Sequence, residues 1–234
     1  MSPPHNRDRA SGPGALTPDG CAVELYKILA PRREPEIVHA ALPAGADILE
    51  LGAGTGRVTH GLLALGHAVT AVDRSPEMLA EIRGATTVLA EIADLDLGRR
   101  FAGVVLGSCL FNVVDDAVRV AFLTTCARHV AGDGAVLIEA HEPALRERAR
   151  RGPAGVLPGG VAVAWLEVAI DGDVVDGTLE YRYGSQAWTQ SFGTRVFERP
   201  AIERELRRGG LRYVHAIDAN WFVARADTGV DALP

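Results

Sequence analysis

The sequence predicts an α/β fold: a mostly parallel sheet with helices on both faces, a helical cap ahead of it, and an antiparallel β-meander inserted late in the chain. Three observations carry that expectation. Asp47–Asp73 reads as strand, glycine-rich turn, amphipathic helix and second strand. Phe101–Ser108 and Ala135–Ala140 are nearly continuous apolar runs, as strands buried on both faces require. From Gly159 the pattern changes to β-rich segments parted by the hairpin-compatible turns Asp171-Gly172-Asp173 and Gly184-Ser185.

The 234 residues suit one domain with an addition and suffice to bury a sizeable core. A formal charge of −6 gives no large basic footprint for nucleic acid or anionic lipid, so a small-molecule substrate is the expected partner. Cys21, Cys109 and Cys126 lack C-x-x-C spacing and suggest neither a disulfide framework nor a zinc site, and no histidine spacing suggests a metal. With no apolar h-region at the start and no uninterrupted apolar twenty-mer, a cytoplasmic protein off the membrane is expected.

Residues 1–20 are rich in Pro, Gly, Ser and Thr and read as a mobile tail. Ala22, Leu25, Ile28 and Leu29 fall at helical spacing across Cys21–Ala30, which Pro31 ends; Glu36–Leu42 follows Pro35 and stops before Pro43. Residues 21–45 thus form the helical cap. Ile48, Leu49 and Leu51 lead into Gly52, Gly54 and Gly56, where missing Cβ atoms let the backbone turn tightly and lie against a ligand. Val58, Leu62, Leu63 and Leu65 give the next helix its apolar face, and Ala68–Val72 forms a strand ending on Asp73. The glycine spacing is G-x-G-x-G, with Arg57 where the dinucleotide fingerprint has its third glycine.

Glu50-Leu51-Gly52-Ala53-Gly54-Thr55-Gly56 resembles the first motif of class I S-adenosylmethionine-dependent methyltransferases, and Asp73-Arg74-Ser75-Pro76-Glu77-Met78-Leu79 resembles their second. The resemblance implies a Rossmann-like seven-stranded sheet, S-adenosyl-L-methionine as cofactor and S-adenosyl-L-homocysteine as product. It sets Glu50, Gly52, Gly54, Thr55 and Gly56 against the cofactor, Asp73 on the ribose hydroxyls with Arg74 beside it, and Met78 at the adenine edge. Ala93 and Asp94 would meet the adenine N6 amino group, and Tyr26, within Val23-Glu24-Leu25-Tyr26, the methionine end. A packing tyrosine, a core methionine and a turn-capping aspartate remain the other readings of Tyr26, Met78 and Asp94.

Ser75-Pro76 starts a helix to about Arg83, Thr86–Glu91 is the third strand and Phe101–Ser108 the fourth. Ligands bind beyond the carboxyl ends of strands in open α/β sheets, so Gly107, Ser108, Cys109, Leu110, Phe111 and Asn112 border the pocket. Of these, Gly107, Ser108 and Asn112 are the expected cofactor contacts. They lack the N-P-P-Y or D-P-P-Y signature that such enzymes use on DNA bases or protein glutamine. Asp115 or Asp116 caps the next helix, which Gly132 should stop. The fifth strand, Ala135–Ala140, leads to His141, the candidate general base, because neutral imidazole can accept a proton near pH 7; capping the strand end is its other reading.

Val161–Ile170, Val174–Tyr183 and Gln186–Phe197 form the meander, Pro200–Arg208 a helix, and Leu211–Ile217 with Trp221–Ala224 a closing strand pair. By resemblance, the last strand lies antiparallel beside the fifth. The expected organisation is a single domain over residues 21–226, with a cofactor-binding core at 46–142, the β addition at 159–198 and the helix and strand pair at 199–226. Residues 227–234 read as a loose tail. The implied activity is methyl transfer to O, N or C of a small-molecule acceptor, with the meander serving as lid, substrate wall or homodimer interface. Two further readings stand beside it: a cofactor-binding relative that does not methylate, and an NAD-dependent oxidoreductase, against which Arg57 speaks.

Overall fold

The computed structural model describes residues 9–151 and 155–227. After a two-residue strand, β1 (Ala10–Ser11), two short helices, α1 (Val23–Ile28) and α2 (Glu34–Ala41), lead to the central sheet. Its parallel strands are β2 (Asp47–Leu51), β3 (Ala68–Asp73), β4 (Thr86–Leu89), β5 (Phe101–Leu106) and β6 (Val130–Glu139). Helices α3 (Arg57–Ala64), α4 (Pro76–Leu79) and α5 (Asp116–His129) connect them, while β4 reaches β5 through a 3-10 turn at Ile92–Asp94. Helix α6 (Leu145–Arg151) then leads to β7 (Gly155–Leu157), β8 (Val161–Asp171), β9 (Val174–Tyr183) and β10 (Gln186–Arg195). The chain closes with α7 (Arg199–Arg208), β11 (Leu211–Ala216) and β12 (Trp221–Ala226).

The central sheet has the order β11-β12-β6-β5-β2-β3-β4, with β12 antiparallel to β6 as the family resemblance implies. Leu49, Leu51, Val104 and Leu106 bury one face against α5 and α7, while Ile48, Val105, Leu137 and Trp221 pack the other against α2 and α3. Both faces are covered, so most side chains on either face of the central strands are apolar, and the long hydrophobic runs follow from that. The carboxyl ends of β2, β5 and β6 come together at one edge, carrying the glycine turn, Ser108 and Glu139.

Three local expectations are corrected. The helix begun by Ser75, whose Oγ accepts from Met78 N at 3.2 Å, stops at Leu79, because the chain must turn through Gly84 (φ +80°) to enter β4. Gly132 does not stop α5: the helix ends at His129 and passes directly into β6, the carbonyls of Ala127 and Val130 being capped by Arg100 Nη1. The supposed N-terminal tail is partly ordered structure. From Arg9 onward it lies along the second sheet, with Ala10–Ser11 paired antiparallel to β10, Ser191 N donating to Arg9 O at 2.7 Å and Trp188 Nε1 donating to Pro13 O at 2.9 Å. Main-chain groups do here what an apolar segment would do by burial. Residues 1–8 and 228–234, also expected to be loose, lie outside the described residues.

The meander has the expected strands and both turns, with Gly172 (φ +58°) and Gly184 (φ +57°) supplying the left-handed positions. With β1 and β7 added it becomes a five-stranded antiparallel sheet, β1-β10-β9-β8-β7.

Candidate active site

The turn after β2 takes left-handed backbone at Gly52 (φ +71°), Gly54 (φ +55°) and Gly56 (φ +85°), the last heading α3. It is held from behind by main chain: Gly52 N and Ala53 N both donate to Val72 O, at 2.8 and 2.9 Å. Asp73, ending β3, reaches back to it, Oδ2 accepting from Gly54 N at 2.8 Å and Oδ1 from Ser75 N at 2.9 Å. The sequence pair formed by the glycine turn and the next strand's terminal acid is thus one physical unit.

A side chain at Gly54 would meet nothing within 4 Å, so the middle of the turn faces open space. At Gly52 a Cβ would fall 2.5 Å from Leu110 Cδ1, because Leu110, in the 3-10 turn Leu110–Asn112 after β5, lies across that end. Glu50 is buried at 5% exposure beneath the turn, its Oε2 accepting from Thr59 Oγ1 at 2.6 Å. Burial pushes its carboxyl up to about 7 despite that bond. A buried acid without a cation in contact, an open glycine cradle and a carboxylate at the next strand end fit a cationic nucleoside ligand. The residues expected to hold S-adenosylmethionine are therefore compatible with it.

Around this centre the expected contacts divide. Thr55 Oγ1 donates to Tyr26 O at 3.0 Å, so α1 rests on the turn by its backbone. The Tyr26 ring is turned toward the second sheet, where Cys21 Sγ contacts its hydroxyl at 3.5 Å and Gln190 Nε2 contacts Cys21 Sγ at 3.4 Å. Burial foremost, then the neighbouring Cys21, raises the Tyr26 phenol well above its ordinary range. Met78 is buried beside Ser75, whereas Arg74 is exposed and pairs with Glu91 at 3.7 Å; Ala93 and Asp94 are exposed on their 3-10 turn.

On the far side of the turn, Ser108 (φ +52°) and Cys109 (φ +54°) hold strained left-handed backbone just past Gly107. Ser108 N donates to Glu139 Oε2 at 2.7 Å. His141 Nδ1 lies 3.5 Å from Cys109 Sγ, and burial, assisted by the charge of Arg148, lowers the imidazole to about 4. It is neutral at pH 7, but so weakly basic that the general-base role expected for it is disfavoured. Asn112 ties two parts of the scaffold together. Almost fully buried, it donates through Nδ2 to Arg195 O at 2.6 Å and accepts through Oδ1 from His141 N at 3.0 Å, so its amide fixes the scaffold.

Sequence reasoning missed a charged cluster above this edge. Arg57 Nη1 pairs with Glu34 Oε1, and Arg32 N donates to Glu34 Oε2 at 2.5 Å. Burial works against the Glu34 charge, but Arg57 and the backbone donors overcome it and keep the carboxyl below its usual range. Cys109 feels the charges of Glu139, Arg32, Arg57 and Glu34, and its thiol is raised well above normal chiefly by burial. Two surface depressions, one along Arg146 to Arg204 and one along Arg100 to Asp227, contain none of the expected site residues.

Residues 48–134 match the family model described as a methyltransferase domain. Uncharacterised methyltransferases of Mycobacterium tuberculosis and Mycobacterium bovis are 37% identical over 103 residues, which is 42% of this chain. The chain is matched over 42% of the length of those curated relatives. Among solved structures, DesVI of Streptomyces venezuelae aligns at TM-score 0.67 and 19% identity, covering 87% of this chain and 96% of that one. SAM-bound CalS10 of Micromonospora echinaspora, an amino pentose methyltransferase of calicheamicin biosynthesis, aligns at TM-score 0.65 and 19% identity over 86% of this chain and 94% of that one. The sugar N-methyltransferase KedS8 of Streptoalloteichus aligns at TM-score 0.64 and 21% identity over 93% and 98%. The chain has the fold of S-adenosylmethionine-dependent methyltransferases, and its residues 48–134 are similar in sequence to the methyltransferase-domain model.

Proposed function

We propose that this protein is an S-adenosylmethionine-dependent methyltransferase acting on O, N or C of a small-molecule acceptor, with S-adenosylhomocysteine as product. The observation that carries the reading is the bond from Gly54 N to Asp73 Oδ2, which joins the open glycine turn to the acid one strand later. The methyltransferase-domain match across this region supports it, as does the small-molecule chemistry named for KedS8 and CalS10. A cytoplasmic setting belongs to the same reading, supported by three cysteines that are all free.

When bound, S-adenosylmethionine supplies a methyl group on a strongly electrophilic sulfonium. The chain's own work is then mostly placement. Asp73 would take the ribose hydroxyls, the glycine turn would admit the ligand against main chain, and buried Glu50 would balance its positive charge from below. Met78 would flank the adenine, with Arg74, Ala93 and Asp94 at the exposed rim. Gly107 and Ser108 would border the methyl, and Tyr26 would close the site from α1. Neutral His141 would orient the acceptor, held in place through Asn112.

Calorimetry with S-adenosylhomocysteine, alongside NAD, tests this reading. Submicromolar binding of the first and none of the second is expected. The reverse result would falsify it. Transfer of a radiolabelled methyl to a panel of small metabolites then tests the reaction itself; tight binding without labelled product across the panel would turn the proposal toward a non-methylating protein.

A further inference from the structure

We infer that Glu139 receives the acceptor, and that the acceptor is an amine whose ammonium pairs with its carboxylate at the tip of β6. This rests on the methyltransferase reading above, whose site it completes on the side opposite Asp73. Glu139 is the last residue of β6, on the same face as Leu137 and therefore beneath α2 and α3. Its carboxylate leans over the end of β5: Oε2 accepts from Ser108 N at 2.7 Å, and a Cβ added at Gly107 would lie 3.9 Å from that oxygen. Trp221, its partner across the sheet, has its ring edge equally near Gly107 and walls the same spot.

The other oxygen, Oε1, has no hydrogen-bond partner among the described residues, and no guanidinium or ammonium pairs with this acid. The charged groups facing it are Glu34 and Arg57 from the helices above and Arg32 from the loop before α2, with the neutral thiol of Cys109 near by. Arg57 is already committed to Glu34. Burial, followed by the Glu34 charge, pushes the Glu139 carboxyl up, so a cation placed against it would be strongly favoured. Glu34 itself is satisfied from both sides and has no such need.

An amine must lose a proton before its nitrogen can attack. At Glu139 the ammonium N–H bond breaks, an O–H bond forms on the carboxylate, and the electron pair stays on nitrogen as the nucleophile. Weakly basic His141 serves this less well than a carboxylate whose proton affinity burial has increased. A hydroxyl acceptor brings no positive charge, and its pairing with Glu139 would be correspondingly weak.

The test uses full-length protein with S-adenosylhomocysteine added and a panel of amino sugars and simple primary amines, each matched with its hydroxyl counterpart. Binding is followed by calorimetry and by the Ser108 backbone amide resonance, which reports on Glu139. Amines should bind and move that resonance, and their hydroxyl counterparts should not. Glu139→Gln should weaken amine binding about tenfold or more, as expected for a lost hydrogen bond to a charged group. Glu139→Asp should retain part of that affinity, and both variants should bind S-adenosylhomocysteine as tightly as the parent. Amines that leave the Ser108 signal unmoved, hydroxyl compounds that bind equally well, or a variant that loses the cofactor product rather than the amine would each overturn the assignment. Failure of the parent protein to bind S-adenosylhomocysteine, with amine binding intact, would strike the cofactor reading alone.

Discussion

In β2 every residue from Ile48 to Leu51 is buried, whereas in β8, more than twice as long, only Val161 is. The first strand lies between neighbours on both sides and helices on both faces. The second belongs to a sheet open to water over much of its length, with Leu166 and Val168 exposed at 53% and 38%. The difference teaches where precision is kept. The glycine turn, Asp73 and Glu139 all sit on strands whose packing fixes them, while the added sheet touches the site through softer contacts such as the thiol between Tyr26 and Gln190.

The contrast is open to direct attack, starting where the effect should be largest. Leu106→Ala, at a fully buried position on β5, should lower stability by about 2–5 kcal/mol in a denaturant titration. A loss under 1 kcal/mol would mean that the central sheet tolerates cavities as an open sheet does. Glu50→Gln should act in the opposite direction on the ligand-free protein. Raised to about 7 when folded, the Glu50 carboxyl favours the folded state below its unfolded value near 4.5 and loses that contribution as pH climbs toward 7. The amide should therefore gain up to about 3 kcal/mol above pH 7 and nothing below pH 4, while binding S-adenosylhomocysteine less tightly. A pH-independent difference between the two proteins would remove the buried-acid account.

Asp73→Ala should weaken S-adenosylhomocysteine by about 1.5–3 kcal/mol in calorimetry, and unchanged affinity would take Asp73 out of the ribose role. On the added sheet, Trp188→Phe removes the bond from Nε1 to Pro13 O together with part of a fully buried indole and should cost about 1–2 kcal/mol, read as a shift in Tm. Smallest of all, Leu166→Ser on exposed β8 should change stability by no more than about 0.5 kcal/mol. A larger loss would show that β8 is covered in solution, and measuring molecular mass would then identify a second copy as the cover.

The fold was legible because its signals are local. Three glycines at alternate positions, unbroken apolar runs and two glycine-bearing hairpin turns each report on backbone within a few residues, and the strands of the meander came out within two residues of their observed ends. The site was legible only where it shares that locality. Glu34 meets Arg57 across 23 residues, Ser108 meets Glu139 across 31, and Asn112 meets Arg195 across 83. A pattern of residue types along the chain does not encode such meetings, so Glu139 stayed an unremarked residue of the fifth strand and Asn112 read as a ligand contact. His141 was expected at a strand end, but its weak basicity comes from burial that only the assembled fold reveals.

Leu110 has a thermodynamic consequence. With its methyl group seated over Gly52, that end of the turn is already shielded by hydrocarbon. An arriving nucleoside therefore exchanges one oily covering for another and strips little ordered solvent from the glycine. Its heat-capacity change on association should be less negative than that of a cleft standing wet, and trimming Leu110 to alanine should make it more so.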